Sequence, residues 1–533
     1  MRRPRGAPAE YVFWNGRLLD APRVARPPRE REALWIKDGR IEAVGPAAAV
    51  RRRASRTAEP IDLEGGTLTP GFTDAHIHLM TWIRAMDEPW LDGQTTEAIA
   101  RVAAARLRSA PDEEWILLRG WVPREWEPAR RLRATLDRIA AGRPLVLYAV
   151  DGHSVWASSA ALARAGIGDA TPDPSGGVIE RDREGKATGV LIETADRPLR
   201  AAVQHGAPAS ETLARALARA RSLGITSAHD FDRSATWRAA QELDAAGRLG
   251  FRLLLSIPVA SLDAAIALGL RSGTGSETLR IGPVKLFADG TLGSATALLE
   301  APYEGSASTG IEVTSRDEMA AACTRACRAG LTVAIHAIGD RAVRNALDAI
   351  EAPLRSGGRY VLPPRVEHVQ LARDEDFARF RALGVLASVQ PIHQVTDREI
   401  ARRHWGERTA RAYAYRRLLS DGAALLFGSD APFDRPGPLL ALSSALLRRA
   451  AKDPPDRAFH PEQRIRLAQA LRAHLEAPHV AAGWRTPFGR LAPQFGADVA
   501  VFDHDLTELE PDRWSEVRAR AVWVAGKPEP IRN

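Results

Sequence analysis

The chain has 533 residues, 45% of them apolar and 26% charged, a globular composition that excludes both a lone small module and wholesale disorder. Lys plus Arg (74) exceeds Asp plus Glu (66) by 8, but only five of these bases are lysines and the arginines are scattered without an aromatic-interleaved stripe, so nucleic acid is not an expected partner. Cys323 and Cys327 cannot staple distant elements, and no stretch approaches the roughly 18 apolar residues of a membrane span, so a cytoplasmic protein with no membrane partner is expected.

Apolar runs at 11–19, 33–37 and 41–44 are separated by Asn15-Gly16 and Asp38-Gly39, dipeptides that tolerate positive φ, and they predict strands joined by tight turns. Residues 497–503 and 519–526 repeat that texture near the other end. A few short strands make a poor core alone, so 8–68 and 486–530 are expected to pack as one discontinuous β-sandwich domain. Between them, apolar strand, loop and amphipathic helix alternate, the pattern of a parallel α/β fold. Eight strands are predicted, at 67–78, 224–230, 251–257, 282–288, 331–337, 364–369, 385–391 and 424–430, with helices such as 316–329 and 342–354 between them. Residues 69–485 therefore read as a (β/α)8 TIM-like barrel. The first connection is far longer than one crossover helix. It holds strand signals at 115–121 and 144–150 and a hairpin over 177–193, so a subdomain inserted at about 93–205 is expected to cap the pocket from the barrel's C-terminal side.

The strongest chemical signal closes the first barrel strand. His76 and His78 stand at i and i+2, where an extended strand projects both side chains to one face, and two converging neutral imidazoles suit zinc or a similar divalent ion. His336 and His368 end later strands, and strand ends of one barrel point at a common centre. Lys285 lies inside an apolar strand, where burial lowers an ammonium pKa and costs several kcal/mol unless the charge is paired. A neutral amine there can take up CO2 as a carbamate whose oxygens bridge two metal ions, which an arginine cannot do. The competing reading is a salt bridge to Asp289 or Asp430. Asp430 ends the eighth strand, where a carboxylate can bind metal and carry a proton from water to a leaving nitrogen; the competing reading is a helix N-cap ahead of Pro432.

Together these motifs resemble the metal-dependent amidohydrolase superfamily, in particular its N-substituted formamide deformylase-like branch. The likeness runs through Pro70-Gly71-Phe72-Thr73-Asp74-Ala75-His76-Ile77-His78, Asp151-Gly152-His153-Ser154, Val284-Lys285-Leu286-Phe287, His336-Ala337-Ile338-Gly339-Asp340, Glu367-His368 and Gly428-Ser429-Asp430-Ala431-Pro432. The resemblance implies two divalent metal ions, with zinc the expected identity, held by His76, His78, carboxylated Lys285, His336 and His368, and Asp430 as catalytic acid/base. The expected activity is hydrolysis of a non-peptide C–N bond in a small amide or formamide by metal-activated hydroxide. Alternatives are cyclic amides, N-acyl amino acids or esters as substrates, or a non-catalytic regulatory or binding homologue. A homodimer is left open.

His153 in the insert is placed over the metals, after a strand and before a predicted helix, to polarise a substrate carbonyl. His229 and His393 end strands two and seven; His393 joins the candidate substrate contacts, while His229 reads as structural. Trp82, Trp121, Trp126, Trp156 and Phe433 are candidates for an apolar pocket wall, with Trp82 foremost. Cys323 and Cys327 read as buried packing residues.

Overall fold

The computed structural model describes residues 10–28, 30–127, 131–203, 208–232 and 234–531; residues 8 and 9 of the expected end domain and residue 205 at the expected end of the insert lie outside these. The first strands are β1 (Glu10–Trp14), β2 (Arg17–Leu18), β3 (Glu32–Lys37), β4 (Arg40–Pro46), β5 (Glu59–Asp62) and β6 (Thr67–Pro70). Strands β1, β3, β4 and β5 form one sheet in the order β4-β3-β1-β5. Asp38 (φ +47°) and Gly39 (φ +79°) make the two-residue turn that brings Lys37 opposite Arg40. The run predicted as one strand over 11–19 is two, because Asn15 takes φ +58° and sends β2 into a different sheet.

The barrel begins with β7 (Phe72–Ile77), so the strand predicted over 67–78 also divides, at Gly71. A Cβ there would lie 2.0 Å from the Thr226 hydroxyl oxygen, so only glycine lets the chain cross from one sheet to the other at this point. The insert then contributes β8 (Ile116–Trp121), β9 (Leu145–Ala149), β10 (Ser154–Ala157), β11 (Gly177–Arg181) and β12 (Ala187–Glu193), ordered β11-β12-β10-β9-β8. Its β8 and β9 are parallel and the remaining pairs antiparallel. The helix predicted directly after His153 is not there. Val155, Trp156 and Ala157 are fully buried between β9 and β12, and the helix starts only at Ser159, capped by the Ser158 side chain accepting from Ala161 N.

The chain returns to the barrel with β13 (Ile225–Asp230), β14 (Arg252–Pro258), β15 (Leu279–Phe287), β16 (Val333–Ala337), β17 (Arg365–His368), β18 (Leu386–Val389) and β19 (Leu425–Phe427). With β7 these make an eight-stranded parallel sheet, nearly closed, with helices around it. Strands buried on both faces read as unbroken apolar runs, and β16 (Val-Ala-Ile-His-Ala) is buried at every position. At the seam, Asp430 N donates to His76 O (2.7 Å) and His78 N donates to Ala431 O (3.0 Å), so barrel closure itself places three of the predicted site residues side by side. A Cβ at Gly428 would sit 2.4 Å from His76 N, which explains the glycine there.

The last strands, β20 (Val499–Phe502), β21 (Ala519–Val524) and β22 (Lys527–Glu529), extend β2 and β6 into the sheet β2-β6-β20-β21-β22. The two end sheets share one core, in which Trp523 meets Phe13 and Tyr11 edge-on at 4.8 and 5.9 Å. Cys323 and Cys327 are free and buried. Among the described residues no helix is long and apolar enough to cross a membrane.

Candidate active site

Parallel pairing aligns the strand ends, and the ends carry the chemistry. Residues Phe287 and His336 are register partners, as are Ala337 and His368, so neighbouring strands deliver their histidines at successive levels of one rim. The rings of His76 and His368 are 5.0 Å apart, those of His336 and His368 4.5 Å, and those of His76 and His78 5.7 Å. Asp430 Oδ1 lies 3.4 Å from Nε2 of both His76 and His78, and Oδ2 lies 4.0 Å from His368 Nδ1. One ligating atom each of His76, His368 and Asp430 falls within 4.8 Å of the others, close enough to share an ion.

Lys285 comes from β15 to the same rim. Its Nζ is buried without a hydrogen-bond partner, over the rings of Phe231 (4.6 Å) and Phe287 (4.9 Å). Burial, with Arg365 adding to it, brings the amine down to about 8 against the pull of Glu367 and Asp430. Neither competing salt bridge forms. The Asp289 carboxylate is occupied by backbone N–H groups of Leu298 (2.9 Å), Ile338 (3.0 Å) and Gly339 (2.8 Å), and Asp430 faces the histidines. Asp430 is not a helix cap either: the next helix, Pro438–Leu447, starts eight residues later.

Each central imidazole has one nitrogen engaged and the other left over. His76 Nδ1 donates to Glu367 Oε2 (2.6 Å), His368 Nδ1 donates to Gln390 Oε1 (2.9 Å), and His336 Nε2 donates to Gly290 O (2.9 Å). This fixes the tautomer and leaves a lone pair for a cation. Burial drives His76 down to about 4 and His336 and His368 well below the ordinary imidazole range, with Lys285 adding to the effect, so all three are neutral. His78 differs: burial opposes its protonation, but hydrogen bonds with Asp232 and Asp430 outweigh it and lift it to about 9. Burial would raise Asp430, yet His76 and His78 hold it well below the carboxylate range. Neutral imidazoles, a carboxylate and a buried amine without a partner are a donor set that fits borderline divalent cations.

Glu367 enters the sequence reading only as part of the Glu367-His368 motif, and neither it nor Gln390 has a role there, though a signal existed. Arg365 and Glu367 are charged residues at i and i+2 in a strand buried at every position, so both face the barrel interior. There Arg365 Nε pairs with Glu367, while its other nitrogens reach His229 Nδ1 (2.8 Å) and Ser388 Oγ (2.9 Å). His229 thus sits in an internal network behind the site. Both His368 (φ +76°) and Asp430 (φ +59°) adopt left-handed backbone, strain of about 1–3 kcal/mol each that the closed barrel must hold.

The insert roofs the site. His153 lies in the turn between β9 and β10, its Nδ1 donating to Glu193 Oε2 (2.7 Å) and its ring 5.5 Å from that of His336. Glu193 also accepts from Thr296 Oγ1 (2.7 Å), while Asp151 accepts from Thr291 Oγ1 (3.0 Å) and Ser294 Oγ, which ties the insert to the loop after β15. Phe433 packs against Gly152 and meets His78 edge-on at 5.5 Å. His393 stacks parallel to His368 at 6.1 Å and accepts from Gln370 Nε2 (3.2 Å). The tryptophans are a correction. Trp82 is packed in the barrel core because its helix turns its apolar face inward, and Trp121, Trp126 and Trp156 form the insert's own core. Of the aromatic candidates, Phe433 alone meets a ring of the predicted site.

The model of an amidohydrolase family matches residues 59–528. YtcJ of Bacillus subtilis (strain 168), whose name assigns it to the amidohydrolases, is 30% identical over 93% of this chain and 95% of its own. The N-substituted formamide deformylase of Arthrobacter pascens is 29% identical over 93% of this chain and 94% of its own. A crystal structure of a metal-dependent hydrolase from Pyrococcus horikoshii OT3 superposes with a TM-score of 0.77 at 25% identity, covering 94% of this chain and 99% of that one.

Proposed function

From its membership of the amidohydrolase family, to which the chain belongs, we infer that it cleaves the non-peptide C–N bond of a small amide, with N-substituted formamides as the first substrates to try. The observation that carries this reading is the Lys285 amine, buried without a partner at the rim where four histidines and Asp430 meet. As a carbamate on Nζ, formed from the neutral amine and CO2 with release of a proton, Lys285 would join His76, His336, His368 and His78, which would give up a proton on binding, in holding two divalent cations, zinc being the best match to the donors. Such cations, when bound, supply Lewis acidity that lowers the pKa of water to about 7 and polarises a carbonyl.

The chain's own groups do the rest. Asp430, 3.4 Å from His76 and His78, takes a proton from the attacking water as its oxygen adds to the carbonyl carbon. When the C–N bond breaks, the same carboxyl returns the proton to nitrogen, so a formamide and water give formate and an amine. Burial opposes protonation of His153, but Glu193 outweighs it and lifts the ring to about 9, so with Nδ1–H donated to Glu193 an Nε2–H remains to donate to the carbonyl oxygen. His393, beside His368, and Phe433, beside His78, adjoin the histidine cluster.

A panel of N-substituted formamides, cyclic amides, N-acyl amino acids and esters, scored by amine or acid release, tests the bond cleaved. Replacing Asp430 with Asn, which keeps an oxygen donor and loses the proton acceptor, is expected to leave metal bound through the histidines and lower kcat by about 10²-fold or more. Wild-type turnover in that variant would remove Asp430 from the reaction.

A further inference from the structure

Between the insert and the helix Leu79–Asp87 lies a concentration of positive charge that the proposed cleavage chemistry does not use. Two guanidinium groups lie against Tyr148 in β9, and a third stands on the neighbouring helix. Arg119 of β8 and Arg200 lie over its ring, Cζ 4.8 and 5.2 Å from the centroid. Arg84, on the helix that starts one residue after His78, stands one turn before Glu88, whose N donates to Arg84 O (3.1 Å) and whose carboxylate accepts from Arg119.

Two of these arginines are paired. Glu88 accepts from Arg119 Nε (2.5 Å) and Asp196 from Arg200 Nε (2.6 Å), and Arg200 Nη2 donates to Gly152 O (2.7 Å). Arg84 has no ion-pair partner among the described residues, and its Nε is buried without a hydrogen bond. Asp232 does not supply one, because its oxygens are taken by Met80 N (2.7 Å) and by Thr81 N and Oγ1. Arg84 is therefore left without a direct counter-ion in a half-buried place, a setting that one carboxylate fits. A guanidinium left this way is costly unless an anion completes it. Burial keeps the Tyr148 phenol protonated, pushed up to about 12, so its hydroxyl is a donor, and it gives no hydrogen bond to a described residue.

The cluster adjoins the reaction centre. Gly152, held by Arg200, precedes His153, and Arg84 follows His78 by six residues, about 9 Å along a helix axis at 1.5 Å per residue. We propose that Arg84 and the Tyr148 hydroxyl, flanked by Arg119 and Arg200, form a carboxylate subsite, so that the substrate is an amide bearing a carboxylate several bonds from the scissile carbonyl. This rests on the amide-hydrolysis reading above. A carboxylate docks two oxygens on the planar guanidinium fork, a geometry that lysine cannot offer.

The test uses a matched pair on the metal-loaded enzyme, N-(2-phenylethyl)formamide and 4-(2-formamidoethyl)benzoate, which differ only in the carboxylate. Binding of the corresponding amines, 2-phenylethylamine and 4-(2-aminoethyl)benzoate, is measured in parallel by calorimetry and needs no turnover. The carboxylate member is expected to win by about tenfold or more in kcat/KM and in affinity. Arg84→Met should bring both ratios toward one, and Arg84→Lys should keep part of the preference. Tyr148→Phe, which retains the ring, should cut the preference severalfold and serves if Arg84→Met loses its melting transition. Equal behaviour of the pair in the wild type, or a preference that these variants leave intact, overturns the subsite. If neither formamide is cleaved while the carboxylate amine still binds in an Arg84-dependent way, the cleavage reading fails and the subsite stands.

Discussion

Glu367 lies behind His76 and holds the orientation of that ring. Its carboxylate is fully buried, accepts from His76 Nδ1 and pairs with Arg365. Burial would raise its pKa, but Arg365 and His76 hold it well below the carboxylate range, so it remains an acceptor and keeps the proton of His76 on Nδ1. Glu367→Gln keeps the shape and loses the charge. The variant is expected to bind zinc about 10- to 100-fold more weakly, measured by competition with a chromogenic chelator. Its melting temperature should also fall, because Arg365 is left with a buried and uncompensated charge. Unchanged zinc affinity would mean that the His76–Glu367 hydrogen bond does not position a ligand. Partners of this kind are hard to see in a sequence. His76 and Glu367 are 291 residues apart and meet only through barrel register, whereas the His76 and His78 pair needs no more than the two-residue period of one strand.

At the scale of elements, strand β7 is held from behind by the helices Leu467–Leu475 and Ala477–Ala481. His474 Nδ1 donates to Thr73 O (2.8 Å), and His479 Nε2 meets Thr73 Oγ1 (3.2 Å). Burial lowers these imidazoles to about 4 and about 3. Above about pH 6.5 they are neutral both folded and unfolded and contribute no pH dependence. Below it the unfolded chain takes up protons that the fold refuses, so stability is lost as the pH falls from about 6.5 toward 4, by roughly 3 kcal/mol from each histidine at pH 4. The urea midpoint should fall across that window, and His474→Asn or His479→Asn should each make the slope shallower. A variant as steep as the wild type would contradict the assignment. The same elements show where sequence reading stops. The alternation of strand and helix is local and was legible, as was the hairpin of β11 and β12. The division of 67–78 at Gly71 depends on contact with Thr226, and the turn of His153 into β10 depends on flanking strands; both are tertiary and leave no local signal.

For the whole molecule, one fold brings distant segments to a single rim under a roof. The two ends share one core, the barrel closes through bonds between the ends of β7 and the segment after β19, and the insert is pinned to two barrel loops by Asp151, Glu193 and the packing of Phe433 on Gly152. The ring of histidines, Lys285 and Asp430 was legible because each sits at a strand end, and strand ends of a parallel barrel must converge. The roof's polar partners and the arginine cluster around Tyr148 were not, since 69 arginines give the sequence no way to mark three. The claim on which the rest depends is that Lys285 and the four histidines hold two divalent ions. A crystal structure of protein grown with zinc and bicarbonate, with anomalous data collected at the zinc edge, tests it most directly. Two peaks within ligand distance of His76, His78, His336 and His368, with density continuous from Lys285 Nζ between them, is the predicted result; a bare Lys285 amine and no peak at that rim would contradict it.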